Sequence, residues 1–153
     1  VRFIGNYSSG KMGFAIADEC AARGAKVIMI SGPVQQQLKY PVRWFAVESA
    51  DQMYNAACSF FAEADAAILS AAVADFTPEQ VADAKIKREK EGKMTLRLKP
   101  TKDIAACLGQ MKKDRQVLVG FALETNDEQH NAEDKLRRKN LDFIVLNSNI
   151  LRS

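Results

Sequence analysis

Residues 5–12 read G-N-Y-S-S-G-K-M and bring two glycines, two serine hydroxyls and a lysine into one short segment. A nucleotide-binding P-loop reads G-x-x-x-x-G-K-[ST], and its last hydroxyl binds Mg²⁺. The segment fits this pattern except at Met12, which has no hydroxyl. A helical pattern follows, and the free N–H groups and dipole of a helix N-terminus favour an anion. The sequence therefore indicates a phosphate-binding loop, which is either an altered P-loop or a different kind of site.

Two further segments carry polar side chains where an apolar strand is expected to end. Residues 71–76, A-A-V-A-D-F, give small residues and then a carboxylate, and residues 120–126, G-F-A-L-E-T-N, give a glycine, an aromatic, an acid and an amide. Taken singly, Gly10 could serve helix packing, Asp75 could cap a turn and Phe121 could belong to the core. Ligands of parallel sheets collect beyond the carboxyl ends of the strands. The coincidence of three such loops predicts one ligand site at that edge.

Short apolar runs alternate with amphipathic segments along the chain. The predicted strands are residues 1–4, 26–30, 42–47, 66–70, 116–121 and 142–146, and the predicted helices are residues 11–23, 50–62, 103–111 and 128–139. Strands this short and apolar are typical of a parallel sheet covered on both faces. The pattern predicts a Rossmann-like, doubly wound α/β domain with a mostly parallel sheet and helices on both faces.

Residues 85–98, K-I-K-R-E-K-E-G-K-M-T-L-R-L, depart from this alternation. Their period of two around a charged turn at residues 89–93 predicts a hairpin or flap, which could be simply a solvated charged element. Alternation places Lys85 and Lys87 on one face and Ile86 on the other. Ile86 could therefore dock while both amines point at a phosphate.

Composition indicates one soluble globular domain. The chain has 153 residues, 47% of them hydrophobic, and a mean hydropathy of −0.22. A net charge of +3 permits a small anionic ligand but does not indicate nucleic-acid binding. No apolar run approaches the ~20 residues of a membrane span. We expect a cytoplasmic protein with no membrane or nucleic-acid partner.

The three cysteines and the single histidine limit the possible disulfide and metal-binding chemistry further. Cys20, Cys58 and Cys107 are widely spaced, and each falls in a predicted helix. This odd, scattered set predicts reduced, buried thiols rather than a disulfide framework. His130 is the only histidine, so a site with several histidine ligands is excluded.

Four sequence blocks, taken together, are similar to those of one family. They are V-R-F-I-G-N-Y-S-S-G-K-M-G at residues 1–13, S-A-A-V-A-D-F at 70–76, K-I-K-R at 85–88 and V-G-F-A-L-E-T at 119–125. The chain closely resembles bacterial phosphopantothenoylcysteine synthetase, a ligase of coenzyme A biosynthesis, along essentially its whole length. Arg88 stands where family members often have lysine, which keeps the charge but changes its geometry.

The resemblance implies a domain organisation and partners. It makes residues 1–153 a phosphopantothenate–cysteine ligase domain without the family's first strand and loop and without its C-terminal sheet segment. It implies a homodimer and, in many bacterial members, fusion behind a flavin-dependent phosphopantothenoylcysteine decarboxylase domain. The implied substrates are 4′-phosphopantothenate, CTP with Mg²⁺, and cysteine, which are joined through an acyl-cytidylate intermediate.

Residue roles carry over from the matching blocks. The implied catalytic residues are Lys85, which would neutralise the α-phosphate, Asn6, which would donate to the tetrahedral intermediate, and Arg2, which would hold an anionic group. The implied binding residues are Ser8, Ser9 and Gly10 for phosphate, Ala71, Ala72 and Phe76 for the cytosine edge, Asp75 for ribose or Mg²⁺, and Lys87 and Phe121. In this scheme Met12 is tolerated because the loop is not a P-loop.

Other classes fit the residues less well. A P-loop kinase needs a hydroxyl at position 12, and a nicotinamide- or flavin-binding domain needs G-x-G-x-x-G where this chain has only G-x-x-G at residues 10–13. A nucleotide-binding or dimerisation module without ligase activity stays open.

The exchange Met12→Ser tests the interpretation of the first loop. It restores the P-loop consensus, yet we expect no nucleotide hydrolysis, because the loop is not built to present Mg²⁺ in that way. Release of inorganic phosphate from CTP or ATP without phosphopantothenate is the measurement. Sustained release by the variant, and not by the unchanged protein, would contradict the interpretation.

Overall fold

Parallel strands alternate with helices in the part of the chain that this computed structural model describes, residues 4–82, 84, 95–124 and 128–148. The helices there are α1 (Lys11–Ala22), α2 (Ala50–Phe61), α3 (Ile104–Met111) and α4 (Glu128–Arg138). The strands there are β1 (Ile28–Ser31), β2 (Arg43–Ala46), β3 (Ala66–Leu69), β4 (Phe76–Pro78), β5 (Leu98–Pro100), β6 (Val117–Glu124) and β7 (Phe143–Ser148).

The strand pairing is that of a mostly parallel α/β fold. β1 pairs with β2, and β6 lies between β3 and β7, all in parallel. The antiparallel pair in the described residues is β4 with β5. The predicted Rossmann-like, doubly wound class is confirmed, with open sheets surrounded by helices.

Helix α1 packs on the β1–β2 pair through its apolar face. Phe14 and Ala17 are buried against Met29 of β1. The ring of Trp44 in β2 meets Phe14 edge-on at 5.6 Å, and its indole N–H donates to the Ser31 hydroxyl at 2.8 Å. Edge-to-face packing and a satisfied N–H both favour a fixed indole. The first turns of α1 are thereby held over the ends of these strands.

The second core joins the β3–β6–β7 sheet to α2 and α3. Phe61, Leu108, Leu118 and Leu141 form it, and Leu118 of β6 is completely buried. A side chain at Gly120 would meet Leu141, so glycine permits this close packing. Removing most of a buried leucine typically costs 2–5 kcal/mol. Leu118 is therefore central to the position of β6.

Capping fixes where α2 begins, as the sequence predicts. The Ser49 hydroxyl accepts from the Gln52 N–H at 3.2 Å, and the Gln52 side chain accepts from the Ser49 N–H. This reciprocal pair satisfies two N–H groups that the helix leaves without partners. The predicted N-cap is confirmed.

Strand β6 is longer than the sequence pattern indicates. The prediction ends the strand at residue 121 and begins a loop at Gly120, but β6 continues to Glu124 and pairs with β7 as far as Ser148. The prediction of a loop at 120–124 is therefore wrong, because pairing with β7 outweighs the loop-forming tendency of glycine and the polar residues. Residues 1–3, 85–94 and 125–127, which carry other predictions, lie outside the described residues, and Ile4 is not in a strand.

The carboxylate of Asp142 ties β6 to the approach of β7. It accepts the Leu118 N–H at 2.7 Å and the Lys112 ammonium at 3.0 Å. The Leu118 hydrogen bond, followed by Lys112, lowers the pKa of Asp142 below its ordinary value. The ionised form is therefore the one that the fold stabilises.

We expect Asp142→Asn to destabilise the fold by about 1–2 kcal/mol at neutral pH, because the amide keeps one acceptor but loses the charge. A lowered folded-state pKa contributes stability above the ordinary value of about 3.9, and this contribution is lost as pH falls through the folded pKa. Urea unfolding at pH 6 and near pH 3 measures the difference, which should shrink in acid. Asp134→Asn, at an exposed pair with Arg138, is the control and should change little. Equal effects of the two substitutions would contradict the assignment.

Candidate functional site

The first candidate loop ends at Gly10, which is the N-cap of α1. Gly10 has a φ of 72°, and a Cβ there would come within 3.0 Å of Val34. Both the left-handed backbone and the close approach require glycine. Gly10 has no side chain that could cap the helix, and the first turn contains no acid. This helix end is thus compatible with an anion.

The predicted phosphate-binding serines lie exposed beside this helix end. The Ser8 hydroxyl accepts weakly from Gly10 N–H at 3.4 Å, and the Ser9 hydroxyl accepts weakly from Lys11 N–H at 3.5 Å. Bonds this long are easily exchanged for a better acceptor. The loop can therefore offer both hydroxyls and backbone N–H groups to a ligand.

Asn6 connects the first loop to the second. Its amide nitrogen donates to the Val73 carbonyl at 3.3 Å, across 67 residues of sequence. A Cβ on Gly13 of α1 would lie 2.9 Å from the Ser70 hydroxyl, so the first turn of α1 also approaches the end of β3. The structure thus brings together the two most distinctive blocks of the sequence.

Thr101 fixes the backbone of the second loop, residues 71–76, through two hydrogen bonds. The Thr101 hydroxyl donates to the Ala74 carbonyl at 2.7 Å, and its N–H donates to the Asp75 carbonyl at 2.9 Å. These bonds occupy backbone oxygens and leave the Asp75 carboxylate exposed. Phe76 begins β4, pairs with Pro100 and is 52% exposed. Ala71 and Ala72 are exposed as well.

Phe121 is half-buried within β6 and not in a loop. Leu69, the last residue of β3, pairs with Gly120 of β6. Phe121 is the next residue of β6 and therefore lies beside the point where β3 ends and the second loop begins. Its carbonyl accepts from the Lys135 ammonium at 3.2 Å. The third segment therefore reaches the edge that the sequence predicts, although as a strand.

The structure does not place all of the predicted residues. Arg2, Lys85 and Lys87 lie outside the described residues. Asn6 contacts Val73 within residues 71–76. Ser8 and Ser9 contact the start of α1, and Gly10 lies against Val34. The roles assigned to all of these residues stay predictions.

Sequence reasoning missed Thr101 and its surroundings. A surface cavity of about 290 Å³ lies between the start of α2 and the β4–β5 pair. Its lining residues are Ser49, Ala50, Asp51, Thr77, Lys99, Pro100, Thr101 and Lys102. The nearby sequence signal is Asp103, whose side chain caps α3 by accepting from Ala106 N–H at 3.0 Å. It gives no indication of the contacts that Thr101 makes.

Residues 4–82, 84, 95–124 and 128–148 contain no group of three or more histidine, cysteine, aspartate or glutamate side chains arranged for a metal ion. A single exposed carboxylate such as Asp75 suits Mg²⁺ that takes its other ligands from water and phosphates. The described helices are all too short or too polar to cross a membrane.

Comparison with known proteins identifies the family. The sequence profile of the DNA/pantothenate metabolism flavoprotein C-terminal domain matches residues 1–151, and the chain belongs to this family. It is 51% identical over 148 residues to the coenzyme A biosynthesis bifunctional protein CoaBC of Bacillus subtilis strain 168, covering 96% of this chain and 36% of that protein. It is 57% identical over 149 residues to a cysteine/cysteine sulfinic acid decarboxylase of an unknown prokaryotic organism, covering 97% and 41%.

Solved structures share the fold. The crystal structure of the C-terminal domain of a coenzyme A biosynthesis bifunctional protein CoaBC superposes with a TM-score of 0.83 at 41% identity, covering 96% of this chain and 68% of that one. A Cab2 mutant in complex with phosphopantothenate-cysteine, at 19% identity and a TM-score of 0.78, covers 99% and 68% and is similar in fold. The chain spans about two fifths of the length of the curated relatives above.

The exchange Thr101→Val tests the support of the second loop. It keeps the shape but removes the hydroxyl that donates to Ala74, and we expect a loss of about 1 kcal/mol. Amide exchange in residues 71–76 should become about 5-fold faster, measured by mass spectrometry of the matching peptide. Thr101→Ser keeps the donor and should stay near the unchanged protein. Equal exchange in the two variants would show that the hydroxyl does not hold the loop.

Proposed function

We propose that this domain joins 4′-phosphopantothenate to cysteine, using CTP and Mg²⁺. The observation that carries the proposal is the hydrogen bond from Asn6 to the Val73 carbonyl, which joins the two characteristic loops near a helix N-terminus with no acid in its first turn. Family membership and identity to a coenzyme A biosynthesis protein support it. We also propose a cytoplasmic homodimer and fusion to a flavin-dependent decarboxylase domain, in agreement with the greater length of the relatives.

The first step would activate the carboxylate. A carboxylate oxygen attacks the α-phosphorus of CTP, the new oxygen–phosphorus bond forms an acyl-cytidylate, and the bond to the β-phosphate breaks to release pyrophosphate. Negative charge accumulates around the α-phosphorus during this exchange. Fixed positive charge at that position is typically a large catalytic contribution. In this proposal Lys85 provides the charge and Lys87 assists in binding.

The second step would form the amide. The cysteine amine attacks the acyl carbon, a carbon–nitrogen bond forms, the amine loses a proton, and CMP leaves. The tetrahedral intermediate carries negative charge on the former carbonyl oxygen, which a neutral amide donor stabilises. Asn6 is exposed at the meeting point of the two loops and would be this donor. Arg2 would hold an anionic group nearby.

The two loops would contact different parts of the nucleotide. Ser8, Ser9 and the N–H groups around Gly10 would contact phosphate at the start of α1. Ala71, Ala72 and Phe76 would offer backbone groups to the cytosine edge. Asp75 would contact the ribose or contribute one oxygen to Mg²⁺, which the triphosphate would hold mainly.

A second candidate follows from the decarboxylase name of one relative. That protein is more than twice as long as the matched segment, so its name does not identify which part decarboxylates. A nucleotide-binding or dimerisation module without ligase activity is the remaining alternative. Pyrophosphate release that requires CTP together with phosphopantothenate would distinguish the ligase from the decarboxylase and from the module without ligase activity.

Single-turnover reactions of the full-length protein test the proposal and its two steps. With CTP and phosphopantothenate we expect pyrophosphate and acyl-cytidylate, and less of both with ATP at equal subsaturating concentration. Lys85→Gln should abolish both products even without cysteine. Asn6→Asp should still consume CTP but accumulate acyl-cytidylate in the presence of cysteine, with a cost of about 3 kcal/mol in the second step.

The matched control is Lys90→Gln, which removes a charge from the same segment at a position expected to be solvated. It should leave both steps nearly unchanged. If Lys85→Gln and Asn6→Asp were blocked at the same step, the separate roles would be wrong. If the unchanged protein released no pyrophosphate with CTP, the ligase assignment itself would fail.

A further inference from the structure

Two thiols from different helices lie in contact beside the second core. The Sγ atoms of Cys58 in α2 and Cys107 in α3 are 3.0 Å apart, although 49 residues separate them in sequence. Both cysteines are free and half-buried. A disulfide bond is about 2 Å long. Small rotations of the two side chains would therefore bring the sulfurs to bonding distance.

The surroundings keep both sulfurs between the two helices. Cys107 Sγ lies 3.7 Å from Met111 Sδ, one turn further along α3. A hydrogen bond with Cys107, ahead of burial, raises the pKa of Tyr54 to about 12. Tyr54 in turn lies beneath the Lys102 ammonium, which is 5.0 Å from its ring centre. These neighbours leave the two thiols facing each other.

Burial is the main cause that raises the pKa of Cys58 to about 11, with the hydrogen bond to Cys107 next. Cys58 is therefore a neutral thiol near pH 7 and a slow nucleophile. We expect the pair to stay a dithiol under reducing conditions.

We propose that Cys58 and Cys107 are a reversible disulfide site that cross-links α2 to α3, with a low-molecular-weight disulfide as the oxidant. The Cys107 thiolate attacks one sulfur of that disulfide, forms a mixed disulfide and expels one small thiolate. Cys58 then loses its proton and attacks the Cys107 sulfur, which forms the protein disulfide and expels the second small thiolate. Two protein thiols are oxidised, one small disulfide is reduced, and the two protons go to the expelled thiolates.

The cross-link would act close to the candidate site. Helix α3 begins three residues after Thr101, which donates to the Ala74 and Asp75 carbonyls. Lys102, between them, pairs with Asp51 of α2 at 3.3 Å. Oxidation would fix α2 to α3, which begins just beyond the Thr101 that supports residues 71–76. The inference does not rest on the proposed ligase activity.

The test is equilibration of the folded protein with reduced and oxidised glutathione, followed by an acid quench and a count of free thiols. We expect the count to fall from three to one and to return to three with dithiothreitol. Peptide mapping should find a Cys58–Cys107 disulfide. Its equilibrium constant should be at least ~100-fold larger in the folded protein than in guanidinium, because the fold holds the thiols together.

Cys20→Ser is the matched control, since it removes the cysteine in α1. Its free-thiol count should fall from two to zero, whereas Cys107→Ser should give only mixed disulfides with glutathione. Three free thiols in the oxidised protein would overturn the proposal, as would a disulfide that includes Cys20 or a reaction that stops at the mixed disulfide. Equal equilibrium constants in the folded and unfolded protein would overturn it too.

Discussion

The parallel pairing of β3 with β6 is the constraint on which the candidate site depends. It sets Leu69 opposite Gly120 and so brings the end of β3 and residue Phe121 to one level of the sheet. The pairing is held in place by Leu118, which is completely buried, and by Asp142, which accepts the Leu118 N–H. Loss of these contacts would move residues 71–76 away from the start of α1. The chemistry at the sheet edge is thus supported by a core that takes no part in it.

Glycine contributes to the site through close approach more than through flexibility. Gly10 allows the left-handed turn into α1 and contact with Val34, and Gly13 lets the first turn of the helix approach Ser70. A side chain at position 10 would meet Val34, and one at position 13 would meet Ser70 at the end of β3. The two glycines therefore permit the close approach of α1 to neighbouring segments, which explains why their spacing is useful for predicting the site from the sequence.

The sequence was sufficient to predict those helices and strands that are determined by residues close together in the chain. The α/β alternation follows from hydrophobic periodicity, and the start of α2 at Ser49 follows from a capping pattern four residues long. The extension of β6 to Glu124 was not predictable, because it depends on pairing with β7 about 24 residues later. The same holds for the hydrogen bonds from Thr101 to residues 74 and 75 and for the contact of Cys58 with Cys107. Each of these contacts joins residues far apart in the chain, and no sequence pattern at either residue indicates its partner.

Trp44 has a consequence for optical spectroscopy. It is the only tryptophan of the chain, its ring packs on Phe14 of α1, and its indole N–H is bound by Ser31. Its emission therefore reports on the part of the fold that carries α1 and the first candidate loop, while the β3–β6–β7 core contributes no indole signal. We expect an anion at the first turn of α1 to change this fluorescence, because Phe14 lies one helix turn beyond Gly10. The protein thus contains its own optical reporter, one helix turn from the site.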